Sequence, residues 1–398
     1  MRRYRLAGVA LGALLLASGC SGLTAGSGGS GDSGAAAPGV TDDTIKLGMI
    51  TPLSGPAGSL GADSSAGAQA LIADVNAHGG VNGRKLQLVT QDDQYQPSQH
   101  VAAVNYMATR EPVLAVWGNV GAAPSLAGLP AYQQNGIPLL FPLAPDSHLV
   151  YDKGFALTST WVDQYKVLSN AFAKQPQYKG KVFGFLYQDD GTSKEVISGF
   201  QQGGTPVRAQ QPFPRGATTY LPQLEALRQA GVTDVIMVSA AANLAVALKE
   251  ANQLGYKATW YGTYAAVTPE LVKLAGPLAE GVITVNPYAP PSAGTPGTKA
   301  FIDAMNTYQP SGTKSGIALN SWLGGKIIVD ALQRAGRNLT RDSLLAALND
   351  TKNLDMGGAM PPVTLTAADH VAGKCVQLAT VHNGDFRQSS DFFCQGAS

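Results

Sequence analysis

Residues 45–93 read IKLGMITPLSGPAGSLGADSSAGAQALIADVNAHGGVNGRKLQLVTQDD and change period twice. Ile45 to Ile50 is a short apolar run of the length and β-branched character of a buried strand. Thr51-Pro52-Leu53-Ser54-Gly55-Pro56 stops it, because two prolines and a glycine continue neither strand nor helix. From about Gly61 the apolar residues Ala68, Leu71, Ile72 and Val75 fall on one face of a helix, with Asp63 placed in its first turn, where a carboxylate suits the helix dipole. Gly79-Gly80 ends that helix, Asn82-Gly83 turns the chain, and Leu86, Leu88 and Val89 begin a second strand. The unit is βαβ, and the loop after its first strand lies at the carboxyl edge of a parallel sheet, where open α/β proteins bind small ligands.

The order G-x-I-T-P-L-S-G-P-A, a helix of small residues, then N-A-x-G-G-V-N-G-R-K-L-x-L-V-x-x-D-D resembles the amino-terminal region of type I extracellular solute-binding proteins, the branched-chain amino-acid binding family of ABC importers. The resemblance covers roughly Thr44 to Phe386. It implies an α/β fold of two Rossmann-like lobes joined by a three-crossing hinge, with ligand held between lobes that close on it.

The rest of the chain alternates in the same way. A helix is expected over 97–110, a strand over 113–117, a loop at Gly118 to Pro124, a helix to Asn135, and extended pieces near Leu139 and Phe155. A second series starts at Lys181, with strands over 182–187, 207–211, 235–238, 260–262 and 282–285 and helices near 193–202, 221–230 and 243–254. Further helices are expected over 298–308, 318–335 and 341–348. With crossings placed near Thr158, Pro287 and Leu365, the first lobe takes 40–158 and 288–365 and the second takes 159–287 and 366–398.

The amino terminus reads as an export signal. Arg2, Arg3 and Arg5 precede a run from Leu6 to Ala17, shorter than the about twenty residues a membrane-spanning helix needs. Small residues directly before Cys20 resemble a bacterial lipoprotein signal, although Ala17 stands where leucine is usual. Residues 1–19 are thus expected as a signal peptide and 20–39, nearly all Gly, Ser and Ala, as a lipidated flexible tether. The location implied is the extracytoplasmic face of the cell membrane, or the periplasm, with acyl chains as the membrane attachment.

Without those three arginines the 28 basic residues fall to 25 against 27 acidic, a formal charge of −2, and no basic stripe suggests nucleic acid as a partner. No G-x-S-x-G elbow, H-E-x-x-H helix, P-loop or full G-x-G-x-x-G appears, and the histidines at 78, 100, 148, 370 and 382 show no metal spacing. No enzyme, cofactor or metal is expected. The other two cysteines, Cys375 and Cys394, flank two strands around Asn383-Gly384, a hairpin that would set them within a residue or two of register for a disulfide. A metal pair is the alternative there, but His370 and His382 lack zinc spacing.

Where the resemblance reaches the ligand site, this chain departs from it. The family's serine hydroxyl for the ligand carboxylate falls on Ala122, and its threonine falls within Leu143-Ala144-Pro145. Its tyrosine falls on Thr192, and its acidic partner for the ligand ammonium on Tyr264. The expected contacts are Leu60, Ala122, Leu143, Ala144, Trp161 and Tyr264, with Trp322 either nearby or in the core. Polar contacts are expected from Ser54, Asn119, Ser125, Gln164, Thr192 and the backbone of Gly121. A ligand other than a zwitterionic branched-chain amino acid follows, such as an aromatic acid or an amide, since an unpaired buried charge costs several kcal/mol. The partners expected are that small molecule and the permease and ATPase of an ABC importer, with the protein itself a monomer. A ligand-sensing lipoprotein of the same fold and an amino-acid binder with substituted contacts are the alternatives.

Overall fold

The computed structural model describes residues 37–55, 57–143 and 151–396. Cys20, the expected signal peptide and all but the end of the tether lie outside these, as do Ala144, Pro145 and His148.

The chain first builds β1 (Thr44–Thr51), α1 (Gly58–Ala77), β2 (Lys85–Asp92), α2 (Pro97–Thr109), β3 (Ala115–Trp117), α3 (Ala122–Asn135), β4 (Leu139–Leu140) and β5 (Gly154–Thr158). It then lays down α4 (Trp161–Lys174), β6 (Phe183–Gln188), α5 (Gly191–Gln202), β7 (Val207–Phe213), α6 (Leu221–Gln229), β8 (Asp234–Val238), α7 (Ala241–Gln253), β9 (Thr259–Thr263), α8 (Pro269–Ala275) and β10 (Ile283–Asn286). The last part comprises α9 (Pro296–Tyr308), α10 (Gly316–Ala335), α11 (Arg341–Asn349), β11 (Val371–Gly373), β12 (Cys375–His382), β13 (Asp385–Gln388) and β14 (Phe393–Cys394).

Two sheets result. The first has the order β11-β5-β4-β3-β1-β2 with every pairing parallel. The second has the order β13-β12-β10-β9-β8-β6-β7, parallel from β10 to β7 and antiparallel where β12 and β13 are added, with β14 also on β12. Each sheet is covered on both faces, as buried parallel strands require. In the first, Leu71, Trp117, Phe155, Ile327 and Ile328 form one core layer and Val104, Met107, Val116 and Tyr132 the other. In the second, Leu224, Met237, Leu244 and Leu271 lie on one face and Phe172, Phe183, Phe185 and Phe200 on the other.

Three crossings join the sheets, at Ser159-Thr160 after β5, through 287–295 after β10, and at Lys374 between β11 and β12. The third corrects the sequence reading, which put it near Leu365 and gave 366–398 to the second lobe. Val371–Gly373 instead pairs with β5, and three residues are too few for alternation to reveal a strand. A second correction concerns α1. It starts at Gly58, so Asp63 lies beyond its first turn, where burial raises its pKa against hydrogen bonds with Ser315 and Thr313.

Cys375 and Cys394 sit directly opposite one another and are bonded. The turn between β12 and β13 is Asn383-Gly384, both with positive φ (52° and 79°), as a two-residue hairpin loop demands. The strand expected over 386–393 is broken. Residues 389–392 oppose only Gln377 and Leu378, so the excess bulges out between β13 and β14.

The small residues of α1 have a packing reason. A Cβ added at Gly67 would lie 2.0 Å from the carbonyl oxygen of Ala318 on α10, while Ser64 Oγ meets Ser321 Oγ at 2.7 Å and donates to the Gly118 carbonyl. Alanine favours helix over glycine by up to about 1 kcal/mol, but the obstacle here is backbone and cannot rotate away. Gly67→Ala is therefore expected to lower the unfolding free energy by about 1–3 kcal/mol, read from urea denaturation followed by circular dichroism; unchanged or raised stability would contradict this packing.

Candidate functional site

All three crossings connect the carboxyl ends of strands in one sheet to the same edge of the other, since β12 runs antiparallel to β10 and starts where β10 ends. The two carboxyl edges therefore face each other. Read outward from the crossings, β5, β4, β3, β1 and β2 stand opposite β10, β9, β8, β6 and β7. The candidate site is the cleft between these edges.

On the first lobe the loop after β1 is tied to the end of β2. Asp92 accepts from the Leu53 amide at 2.9 Å, the Ser54 hydroxyl at 2.6 Å and the Gln94 amide at 2.9 Å. Desolvation opposes ionisation of Asp92, yet these bonds prevail and hold its pKa below the usual carboxylate value. The expected ligand contact Ser54 thus already donates its hydroxyl within the protein. Leu53 (43% exposed), Leu60 (38%) and Tyr95 (40%) form an apolar lip around this loop.

Behind the lip lies a fully buried polar network. Asp93 Oδ2 meets His100 Nδ1 at 2.7 Å, and His100 Nε2 meets the Tyr132 hydroxyl at 3.1 Å. Asn119 Nδ2 donates to that hydroxyl at 2.7 Å and lies 3.3 Å from His100 Nε2, while its Oδ1 accepts from the Ile50 amide at 3.1 Å. Burial drives the Tyr132 phenol well above its ordinary pKa, so it stays neutral. Asn119, expected as a ligand contact, is corrected by this geometry: its amide is 0% exposed and both ends are engaged. It shapes the β3–α3 loop.

That loop leads into α3 through Gly121, which has φ 110° and whose added Cβ would strike the Tyr95 ring at 2.5 Å. No side chain caps α3, so the amides of Ala122 and Ala123 open its amino end toward the cleft. Leu143, half-buried, pairs with Val120 and donates its amide to the Asn119 carbonyl at 2.6 Å. Ser125 is buried, and its Oγ has no partner among the described residues.

On the second lobe, Trp161 opens α4 behind the N-cap Thr160 and stacks on Tyr264, with centroids 5.1 Å apart and planes at 16°. Tyr264 in turn lies 6.2 Å from Tyr288, whose hydroxyl donates to the Gly316 carbonyl at the start of α10. An aromatic row thus runs from the second lobe across the middle crossing to the first. Gln164 is 1% exposed; its Nε2 donates to the Ser159 carbonyl in the first crossing at 2.7 Å, and its Oε1 has no partner among the described residues. Thr192 is exposed at the start of α5, which Asp190 caps through the Ser193 amide at 2.9 Å, and Asp189 pairs with Lys194. Trp322 belongs to the core, packed on Phe301.

The sequence reading missed Tyr95 and Tyr288. Each is a lone aromatic in a polar or proline-rich stretch, Asp-Asp-Gln-Tyr-Gln-Pro and Pro-Tyr-Ala-Pro-Pro, which is the only signal it offered. A separate surface groove of about 340 Å³ lies beside α4 and β14, bordered by Lys166, Asn170, Lys174 and Gln395; none of the expected ligand contacts lines it. Among the described residues no three His, Cys, Asp or Glu side chains converge to hold a metal, and no helix is long and apolar enough to cross a membrane.

The sequence profile of the periplasmic binding proteins matches residues 44–385. The leucine-, isoleucine-, valine-, threonine- and alanine-binding protein of Pseudomonas aeruginosa is 26% identical over 302 residues, spanning 74% of this chain and 79% of the relative. Among solved structures, a fatty-acid ABC transporter substrate-binding protein from Thermomonospora curvata superposes with a TM-score of 0.76 at 24% identity, covering 91% of this chain and 95% of that one. A branched-chain amino-acid ABC transporter protein from Thermus thermophilus with bound valine also gives 0.76, at 20% identity and coverage of 90% and 98%. At these identities the two structures establish the shared fold.

Replacing Asn119 separates support from ligand contact. Asn119→Ala strands the Ile50 amide and weakens the Tyr132–His100 pair, and each buried unsatisfied group costs about 1–3 kcal/mol. The expected result is a loss of about 2–4 kcal/mol in ligand-free urea unfolding. Unchanged stability would return Asn119 to the ligand.

Proposed function

The chain belongs to the periplasmic binding protein family, and we propose that it is the solute-binding component of an ABC importer, catching a small organic acid between its lobes and presenting it to a membrane permease driven by an ATPase. The ligand in this reading carries an apolar or aromatic body and lacks the ammonium of an amino acid.

One observation carries the ligand reading: the acid that would pair with a zwitterion's ammonium is replaced by Tyr264, and the carboxylates of Asp92 and Asp190 are already engaged. Ala122 and Tyr264 stand where the family resemblance calls for a hydroxyl and an acid. Asn119 is bonded at both ends inside the protein, Gln164 donates to Ser159 while its Oε1 has no partner among the described residues, Asp190 caps α5, and Asp92 is held by three donors. What remains is the uncapped amino end of α3, suited to a carboxylate, and the Trp161–Tyr264 pair with the leucine lip, suited to an apolar body. An ammonium there would lack a counter-charge and cost several kcal/mol.

The same reading places the protein outside the cytoplasmic membrane on acyl chains at Cys20. Cys20→Ser is expected to move it from the membrane fraction to the soluble fraction; retention in the membrane fraction would reject the anchor.

The ligand class is tested by thermal unfolding of the full chain with L-leucine, L-valine, phenylacetate, benzoate, hexanoate and their amides. A ligand at a hundred times its dissociation constant adds about 2.7 kcal/mol to the folded state. The carboxylates with apolar bodies are expected to raise the melting temperature and the two amino acids to leave it in place. Trp161→Ala is expected to weaken the binding of the best aromatic carboxylate about two- to tenfold, the worth of one aromatic contact. A strong shift with leucine or valine would overturn the ligand class.

A further inference from the structure

The strands β2 and β7 are the edges of their sheets farthest from the three crossings. Their carboxyl ends therefore form the mouth of the cleft, where lobe rotation produces the largest displacement. Tyr95 follows β2 and Arg215 follows β7. We propose that these two side chains are a latch across the mouth, the Arg215 guanidinium lying on the Tyr95 ring when the lobes close. The latch rests on the reading that the protein works by two-lobe closure.

Tyr95 is held by its own loop with its ring lying against Gly121 of the β3–α3 loop. Gln94 and Tyr95 have φ of 52° and 60°, left-handed conformations that residues other than glycine rarely adopt. Asp92 and Asp93 fix them by accepting from the amides of Gln94 and Tyr95, each at 2.9 Å, and Gly121 leaves room for the ring. The ring stays 40% exposed rather than folding into the lobe. Across the mouth, Arg215 is exposed on the loop after β7 and has no hydrogen bond or ion pair among the described residues. Burial and the Asp93 charge push the Tyr95 phenol up, and the Arg215 charge opposes them. A cation brought within about 6 Å of a tyrosine ring is attracted to its face.

Arg215 is badly placed to share a small ligand with the aromatic row. β7 is separated from β9 by β8 and β6, three strand spacings or about 14 Å.

The test uses the full chain with Cys20→Ser, nitroxide labels at Ser98→Cys and Thr219→Cys, and the native disulfide left oxidised. Pulsed electron resonance reads the open and closed distances without ligand. Arg215→Gln and Tyr95→Leu are each expected to raise the open-to-closed ratio about two- to fivefold, the size of an exposed cation–π contact. Tyr95→Phe keeps the ring and is expected to match the parent, and the double variant is expected to change no more than either single one. A parent that shows the same single distance without ligand and with saturating phenylacetate, benzoate or hexanoate would reject two-lobe closure and the latch together. Two distances whose ratio neither Arg215→Gln nor Tyr95→Leu alters would reject the latch alone.

Discussion

Everything in this molecule depends on where the chain crosses between its sheets. Three connections, each leaving or entering a carboxyl edge beside β5, β10, β11 and β12, force those edges to face each other and confine the link to one end. The helix amino ends and loops after every parallel strand consequently converge on one cleft. The candidate site is placed there by topology before any side chain is considered.

The cleft walls then meet two opposed requirements. Loops at a carboxyl edge carry unpaired backbone groups and need fixing, while a ligand needs groups left over. The first lobe resolves this in two layers. The Asp93–His100–Tyr132–Asn119 network fixes the β2 and β3 loops from behind, and Leu53, Leu60 and the backbone of Ala122 remain in front. Asn119 and Asp93, close to the edge in sequence, are therefore turned into the lobe. Their satisfaction inside the lobe is what makes the exposed surface apolar.

This explains which parts were legible in the sequence. Periodicity located α1 to α3, α5 to α7, α9 to α11 and the buried strands, because a 3.6-residue face or a β-branched run is a local property, but α4 and α8 went unread. It did not show β11, whose three residues are a strand only because β5 lies beside them, nor the bulge at 389–392. Asn119 and Gln164 read as contacts because they are polar and close to strand ends. Whether such a side chain turns outward or inward depends on partners such as Ile50, Tyr132 and Ser159, which are near in space and, for Ile50, far in sequence. The Cys375–Cys394 pairing was legible because its hairpin is local: Asn383-Gly384 fixes the turn and thus the approximate register.

The disulfide also bears on the third crossing. Lys374 is followed at once by Cys375, its carbonyl accepts from the Gln395 amide at 3.1 Å, and its ammonium pairs with Asp369. On its other side Gly373 leaves no space for a side chain, since an added Cβ would lie 2.8 Å from the Leu157 carbonyl oxygen. The crossing is thus gripped by β5 before Lys374 and by β14 after it, which confines any rotation of the chain there to a few torsions. Without the bridge, β14 would hold β12 through two paired residues only. Closing a loop of this size contributes on the order of 3 kcal/mol, enough to keep that end paired. A well-defined hinge needs both neighbours of a crossing to stay rigid, and the C-terminal staple supplies the rigidity on the second lobe's side.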